Sequence, residues 1–267
     1  MKLGIIGCGK MGTALIQGAI RAGVVRATDV SGCDPHENSR QAFTKATGAN
    51  ATSEMNASVA DSEVILLCTK PNDISNAITH AAKIAAGEER LLISIAAGVT
   101  LSTLEVATPE NFRIIRAMPN TPALVGQGAA GYCLGSRATR ADAAVAQSLL
   151  GAVGLAVEVA ERLMNAVTGL SGSGPAYIYL VIDALADGGV QAGIPRADAI
   201  RLAAQTVLGS ATMVLETGEH PAVLKDMVTS PGGTTIAALA VLEKHGLRSA
   251  LIEAVGAAVH RATELGK

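Results

Sequence analysis

The chain of 267 residues is almost without aromatic side chains, with no Trp, three Tyr and two Phe. Its cores must therefore be assembled from Ala, Val, Leu and Ile, which suits tightly packed helices and buried strands. Cysteine is scarce too: Cys8, Cys33, Cys68 and Cys133 are widely spaced and form no C-x-x-C pair. Each lies in or beside an apolar run, where a thiol behaves as a small buried hydrophobe, so neither a metal site nor a disulfide framework is expected. His36, His80, His220, His245 and His260 likewise show no ligand spacing and are expected on exposed helix faces. The net charge is only −2 and no Lys/Arg cluster exceeds a short local pair, which leaves no electrostatic footprint for nucleic acid. No apolar run reaches the roughly 20 residues that span a bilayer. The opening "MKLGIIGCG" passes from a few apolar residues into a glycine loop, unlike a signal peptide. These absences lead to the expectation of a soluble, cytoplasmic protein.

What is present is organised in two halves. Up to about residue 160, short β-branched runs alternate with helical patterns. "KLGIIG" (2–7), "DVSGCD" (29–34), "EVILLCT" (63–69), "RLLISIA" (90–96) and "FRIIRAM" (112–118) read as buried strands. "AAGYCLG" (129–135) and "GLAVEVA" (154–160) read as late strands flanking a helix near 139–151. Such alternation predicts βαβ units and a mostly parallel sheet covered on both faces. From 161 the strand signals stop and helical periods take over, with Pro195 and Pro221 as helix starts. The expected division is thus an α/β domain, 1–160, with a doubly wound sheet, followed by an all-α domain, 161–267. The helical half is rich in Gly and Ala and too thin to hide its apolar faces alone, so a homo-oligomer built through it is expected.

"GIIGCGKMG" carries Gly7-x-Gly9-x-x-Gly12 between a buried strand and a helix. In that context Gly7 allows a tight turn, Gly9 lets backbone approach a pyrophosphate and Gly12 lets helix and strand pack closely. The helix start at Lys10 and Met11, with the Cys8 backbone before it, supplies N–H groups to phosphates. Asp34 ends the second strand, and two readings of it stand. It accepts hydrogen bonds from an adenosine ribose, which favours NAD, or it is a turn or cap residue before Pro35. His36 and Arg40 follow closely and suit the extra phosphate of NADP, so cofactor preference stays open. Two further loops, "CTKPND" with Cys68, Thr69, Lys70 and Pro71, and "SIAAGVT" with Ala96, Ala97 and Gly98, fall at strand ends on the ligand-binding edge.

The densest glycine cluster is elsewhere, in "TGLSGSGPAYIYL" (168–180), directly before an apolar helix. Together with "LKDMVTSPGGTTIAALAVLE" (224–243) and "AMPNTPA" (117–123), this segment resembles pyrroline-5-carboxylate reductase, and the resemblance runs from Met1 to about Gly266. It implies a Rossmann-type domain followed by a helical dimerisation domain that intertwines with its partner, sometimes assembled into a decamer. It implies NADPH as cofactor, with NADH as the other choice, and a small-molecule substrate. Asn56 resembles the asparagine on the adenosine side, although its spacing to the strand is one residue short. Lys70, Pro71, Ala97 and Gly98 match positions bordering the nicotinamide. Thr168, Ser173, Gly174, Gly233, Thr234 and Thr235 match positions around the substrate, and Glu161 matches an acidic position near it. Met227 stands where some members carry an asparagine that meets the cofactor.

The implied reaction moves a hydride to C5 of a cyclic imine. That carbon accepts it only when the ring nitrogen is protonated, so the substrate binds as the iminium or Thr168 Oγ passes it a proton. Backbone N–H groups of "SPGGTT", with the Thr234 and Thr235 hydroxyls, suit the substrate carboxylate. Gly172 and Gly174 read as a bare pocket wall; Gly169 and Gly172 read, alternatively, as close-packing positions. Thr168 reads as the catalytic residue, or as a helix threonine bonded back to its own turn. β-Hydroxyacid dehydrogenases share the architecture, but the lysine they need falls at Ile178 and their asparagine at Ile182. A catalytically silent dinucleotide-binding protein is the remaining alternative.

Overall fold

The computed structural model describes residues 1–85 and 87–266. They fall into two compact units: Met1–Ser173 with Ala257–Lys267, and Gly174–Gly256. In the first unit the chain runs β1 (Leu3–Ile6), α1 (Lys10–Arg21), β2 (Val30–Cys33), α2 (Glu37–Thr47), β3 (Asn50–Thr52), α3 (Met55–Val59) and β4 (Val64–Leu67). It continues through α4 (Ile74–Ile84), β5 (Arg90–Ser94), α5 (Leu101–Ala107), β6 (Phe112–Met118), β7 (Gly128–Leu134), α6 (Arg140–Gly151), β8 (Gly154–Glu158) and α7 (Met164–Val167).

The strands form one sheet in the order β3-β2-β1-β4-β5-β6-β7-β8. All neighbours are parallel except β6 and β7, where Ala117 faces Tyr132 in antiparallel register. Strand order reverses between β1 and β4, so their carboxyl ends open a crevice of the kind that takes ligands in doubly wound sheets. The expected strands are all present; β3 is additional. It is three residues of partly exposed "NAT" at the sheet edge, with no apolar run to signal it.

The continuous apolar runs of the inner strands follow from burial on both faces. Along β4 and β5, Val64, Leu66, Leu91 and Ile93 face one core with Leu15 and Ile16 of α1 and Ala146 and Leu150 of α6. Ile65, Leu67 and Leu92 face the other, with Ile74 and Ile78 of α4 and Leu101 and Leu104 of α5. The only two phenylalanines, Phe43 and Phe112, are wholly buried, one in each core. Each such side chain contributes about 1.5–3 kcal/mol of burial.

The first unit extends past the expected boundary at 160. Met164 is buried in the second core, and Asn120 bonds the Ser171 carbonyl, so the segment after β8 packs with the sheet. The second unit holds α8 (Gly174–Gln191), α9 (Arg196–Thr217), α10 (Pro221–Met227) and α11 (Thr234–Lys244); α12 (Leu247–Leu265) begins in it and ends in the first unit. Its buried cluster is small, with Ala186, Ala199 and Ala203 beside Ile182 and Val190. Leu180, Leu215 and Ile252 stay exposed, at 71%, 76% and 69%.

Candidate active site

At the carboxyl edge of β1, β2 and β4 lies a cavity of about 560 Å³, lined by Gly7, Gly9, Asp34, Met55, Cys68, Thr69 and Lys70 among others. The glycine loop shapes its floor. Gly7 has φ +99°, and a Cβ there would stand 2.7 Å from the Cys68 carbonyl oxygen. A Cβ on Gly12 would stand 2.6 Å from the Gly7 oxygen. Both positions therefore exclude any side chain, whereas the space beside Gly9 is open.

Gly9 caps α1 without a side-chain bond, and the first turn holds no acid. The first intrahelical bond of that turn runs from Thr13 N–H to Gly9. The N–H groups of Lys10, Met11 and Gly12 are thus the uncompensated donors of a helix start, with the positive end of its dipole behind them. Beside the same cavity, Thr69 Oγ1 is buried and has no hydrogen-bond partner among the described residues. Open backbone, uncompensated N–H groups and an orphaned hydroxyl fit a dinucleotide, whose phosphates and hydroxyls supply the missing partners.

Asp34 is 7% exposed. One carboxylate oxygen accepts the Cys8 N–H at 2.9 Å and the other accepts the His36 N–H at 2.8 Å. The first bond fastens the glycine loop to the end of β2, and the second makes a tight turn into α2. The turn reading is thus the one its bonds express, and the same side chain lines the cavity. Arg40 donates to the Asp34 and Pro35 carbonyls at 2.9 Å, bracing the same turn.

Asn56 is not on the cavity wall. It is exposed on α3, and Met55 takes the place beside the cavity. Lys10, Met11, Gly12, Pro71, Ala96, Ala97 and Gly98 also lie off this cavity's lining. Ala96 is buried in the second core, and Gly98 (φ +79°) abuts the Leu265 backbone at the end of α12. Residues that spacing did not single out do line the cavity: Ser39, Asn76 and, with His36, a second histidine at His80. No local motif marks them, because two separate helices, α2 for Ser39 and α4 for Asn76 and His80, bring them together.

The cysteines show no sign of reactivity. Burial, with the Asp34 charge beside it, pushes the Cys8 thiol up to about 12, and burial with Glu161 nearby does the same for Cys133. Burial also raises Cys33 and Cys68. No disulfide links the four.

Beyond β8 lies the first part of the expected substrate region. Glu161 accepts the Leu101 N–H at 2.5 Å and the buried Arg116 guanidinium at 3.3 Å. Both bonds go to Oε1, which ties the residue to the start of α5, and Glu161 also lines a cavity with Leu101, Ser102 and Glu105. Thr168 opens a π turn, Thr168–Gly172, in which the Ser173 N–H reaches back to the Thr168 carbonyl at 2.8 Å. Such widened turns recur at functional sites. Thr168 Oγ1 donates to the Met164 carbonyl at 2.9 Å, so the back-bonded form is the one present. A Cβ on Gly172 would meet Met118 Cε at 2.9 Å, whereas Gly174 borders open space. The near atom at Gly172 is the flexible end of Met118, so the contact bears on packing there, while Gly174 has the bare outlook.

In the second unit Gly233 caps α11 without a side-chain bond and no acid lies in its first turn. Gly232 turns the preceding loop at φ +66°, and the Gly233 N–H bonds the Ser230 carbonyl at 3.1 Å. The N–H groups of Thr234 and Thr235 begin the helix without intrahelical partners, as an anion cradle requires. Met227 is 71% exposed beside this loop in sequence.

Known proteins place these features. Residues 2–98 match the family described as NADP oxidoreductase, coenzyme F420-dependent. Residues 161–265 match pyrroline-5-carboxylate reductase dimerisation. The pyrroline-5-carboxylate reductase of Methanosarcina acetivorans is 48% identical, with 100% of this chain and 98% of that protein covered. Among solved structures, a pyrroline-5-carboxylate reductase from Coxiella burnetii superposes with a TM-score of 0.94 at 36% identity, covering 100% and 98% of the two chains. The pyrroline carboxylate reductase of Plasmodium falciparum, solved with NADP bound, gives 0.88 at 31% identity over 100% and 98%. With a glycine-loop cavity in one unit, an uncapped Thr-Thr helix start in the other, and likeness along the whole length to proteins so named, the chain belongs to the pyrroline-5-carboxylate reductase family.

Proposed function

We propose that this chain reduces 1-pyrroline-5-carboxylate to L-proline with NAD(P)H, the last step of proline biosynthesis, through the residues described above. The observation that carries the reading is the cavity at the glycine loop, where the uncapped α1 and the orphaned Thr69 hydroxyl await a polyanionic, hydroxyl-bearing ligand. Gly7, Gly9 and Gly12, with the N–H groups of Lys10 and Met11, would hold the pyrophosphate, and Asp34 the ribose. Lys70, Pro71, Ala97 and Gly98 would border the nicotinamide, which when bound supplies the hydride.

On the substrate side, Gly233, Thr234 and Thr235 would fix the carboxylate, with Ser173 and Gly174 beside the ring. Fixing that carboxylate places the imine carbon for transfer, which is where most of the rate advantage of such a site arises. The Thr168 proton is committed to the Met164 carbonyl, so Thr168 Oγ1 offers lone pairs. It suits a substrate that arrives as the iminium, whose N–H it accepts, better than one that needs a proton from it. Glu161 would stand near the substrate, with its Oε1 holding the start of α5 and Arg116.

The protein is a homo-oligomer, as its dimerisation family implies. The exposed Leu180, Leu215 and Ile252 support a dimer closed through the helical half, and decamers built from such dimers are the larger form proposed. No described helix is long and apolar enough to cross a membrane; action in the cytoplasm on a small molecule, without nucleic acid or membrane as partner, is part of the proposal. The test is loss of NADPH or NADH absorbance on adding pyrroline-5-carboxylate, with proline identified as product and a hydroxyacid plus NAD(P)⁺ as control. Absence of proline with either nucleotide refutes the assignment.

A further inference from the structure

The motif "MPNTP" has no part in the site described so far, yet it reaches the π turn. Asn120 follows the carboxyl end of β6, the edge of the sheet on which the dinucleotide cavity also opens, and is only 7% exposed. Its Nδ2 donates to the Ser171 carbonyl at 2.9 Å, and its Oδ1 accepts the Ala129 N–H at 2.9 Å. The two bonds fix the amide's orientation and tie the start of β7 to the turn that carries Thr168.

Sequence explains why this carbonyl needs a side-chain donor. In a regular helix the Ser171 oxygen would receive the N–H four residues on, but that residue is Pro175. Proline has no N–H, and its ring crowds the carbonyl four residues back. The chain answers with a widened turn, closed by the Ser173 N–H on the Thr168 carbonyl, and with a buried amide at the carbonyl that proline leaves unpaired. Close packing holds the turn and the residue before it against β6 and β7. Cβ atoms at Gly131 and Gly172 would stand 2.8 Å from Val167 and 2.9 Å from Met118.

We infer that Asn120 is a positioning residue: its amide sets the backbone path of residues 168–172, and turnover depends on that path. The inference rests on the proposed reduction, and its link to Thr168 rests on that residue facing the substrate. Asn120→Asp separates the two bonds, because a carboxylate still accepts the Ala129 N–H but cannot donate to Ser171. The expected result is a kcat lower by about tenfold or more, the range of a misaligned reacting group. The NAD(P)H Kd, measured by fluorescence without substrate, stays within about twofold, because the amide lies off the cavity wall. Combined with Thr168→Ala, the losses should not multiply, as expected of residues acting through one element.

A wild-type kcat in N120D overturns the inference, as does a loss that multiplies fully with that of T168A. If N120D is slow while T168A turns over normally, the role of Asn120 stands and the assignment of Thr168 falls. If wild-type enzyme makes no proline at all, the reaction itself is wrong. Should N120D yield no soluble protein, N120S is read the same way, since a serine side chain ends about where the amide carbon stands, short of both partners.

Discussion

Asp34 shows how a single side chain can carry two duties that pull a substitution in different directions. Its carboxylate bonds the Cys8 and His36 N–H groups while lining the cavity. Asp34→Ser removes a negative charge that opposes a 2′-phosphate, so the NADPH/NADH ratio of kcat/KM should rise about tenfold or more. The same change frees the Cys8 N–H and should raise KM for both nucleotides. Steady-state rates with each cofactor measure both effects, and an unchanged ratio removes Asp34 from cofactor selection. Thr168 makes a sharper case. With its proton on the Met164 carbonyl, Thr168→Ala should lower kcat about tenfold or more. Cofactor affinity should stay close to wild type. As pH rises, kcat/KM should fall in both enzymes at the same pH, because the ionisation belongs to the substrate iminium. A shift of that limb in the variant would make Thr168 the proton donor after all.

At the scale of elements, caps separate what supports the fold from what serves the chemistry. The helix starts at Gly9 and Gly233 have no side-chain cap and no early acid, which leaves their N–H groups for anions. α6 is the opposite: Thr139 accepts the Asp142 N–H, and the Asp142 carboxylate accepts from the Thr139 N–H and from Arg113. Burial opposes that ionised carboxylate, but the Thr139 and Arg113 donors outweigh it and hold Asp142 below the usual carboxylate range. Thr139→Ala should therefore cost about 1 kcal/mol of stability with kcat unchanged, as urea denaturation and steady-state assay would show. A fall in kcat at constant stability would mean that α6 reaches the site.

For the whole molecule, the small Ala-built cluster of the helical half contrasts with the two cores of the sheet. Leu215, 76% exposed, belongs to a surface that a second copy should cover. Leu215→Glu should shift the protein toward monomer in sedimentation at micromolar concentration and reduce activity in proportion. A variant that keeps its assembly would place the interface elsewhere. The buried thiols set an alkaline limit. Cys8 and Cys133 are raised from 9.0 to about 12 in the folded protein, so only the unfolded chain loses their protons near pH 9. Stability from them is full below pH 9 and is lost as pH climbs toward 12, by up to about 1.4 kcal/mol per pH unit for each thiol. Urea midpoints between pH 7 and 10.5 should stay level and then fall; a level profile throughout would mean that the thiols ionise in the folded state.

Apolar runs and glycine spacing are local properties, and they alone were enough for seven of the eight strands, the two-part plan and the tight glycine turn after β1. β3 escaped because its three polar residues gain their conformation from pairing with β2. The outlook of individual side chains was beyond pattern as well: it is Met55, at the start of α3, that lines the cavity. Gly172 and Gly174 look equivalent in "SGSGP", yet Met118 from a distant strand fills the space beside one and not the other. The partner of the Ser171 carbonyl was foreshadowed by Pro175, which removes a donor. Only the tertiary fold, by bringing β6 under the π turn, decided that Asn120 would replace it.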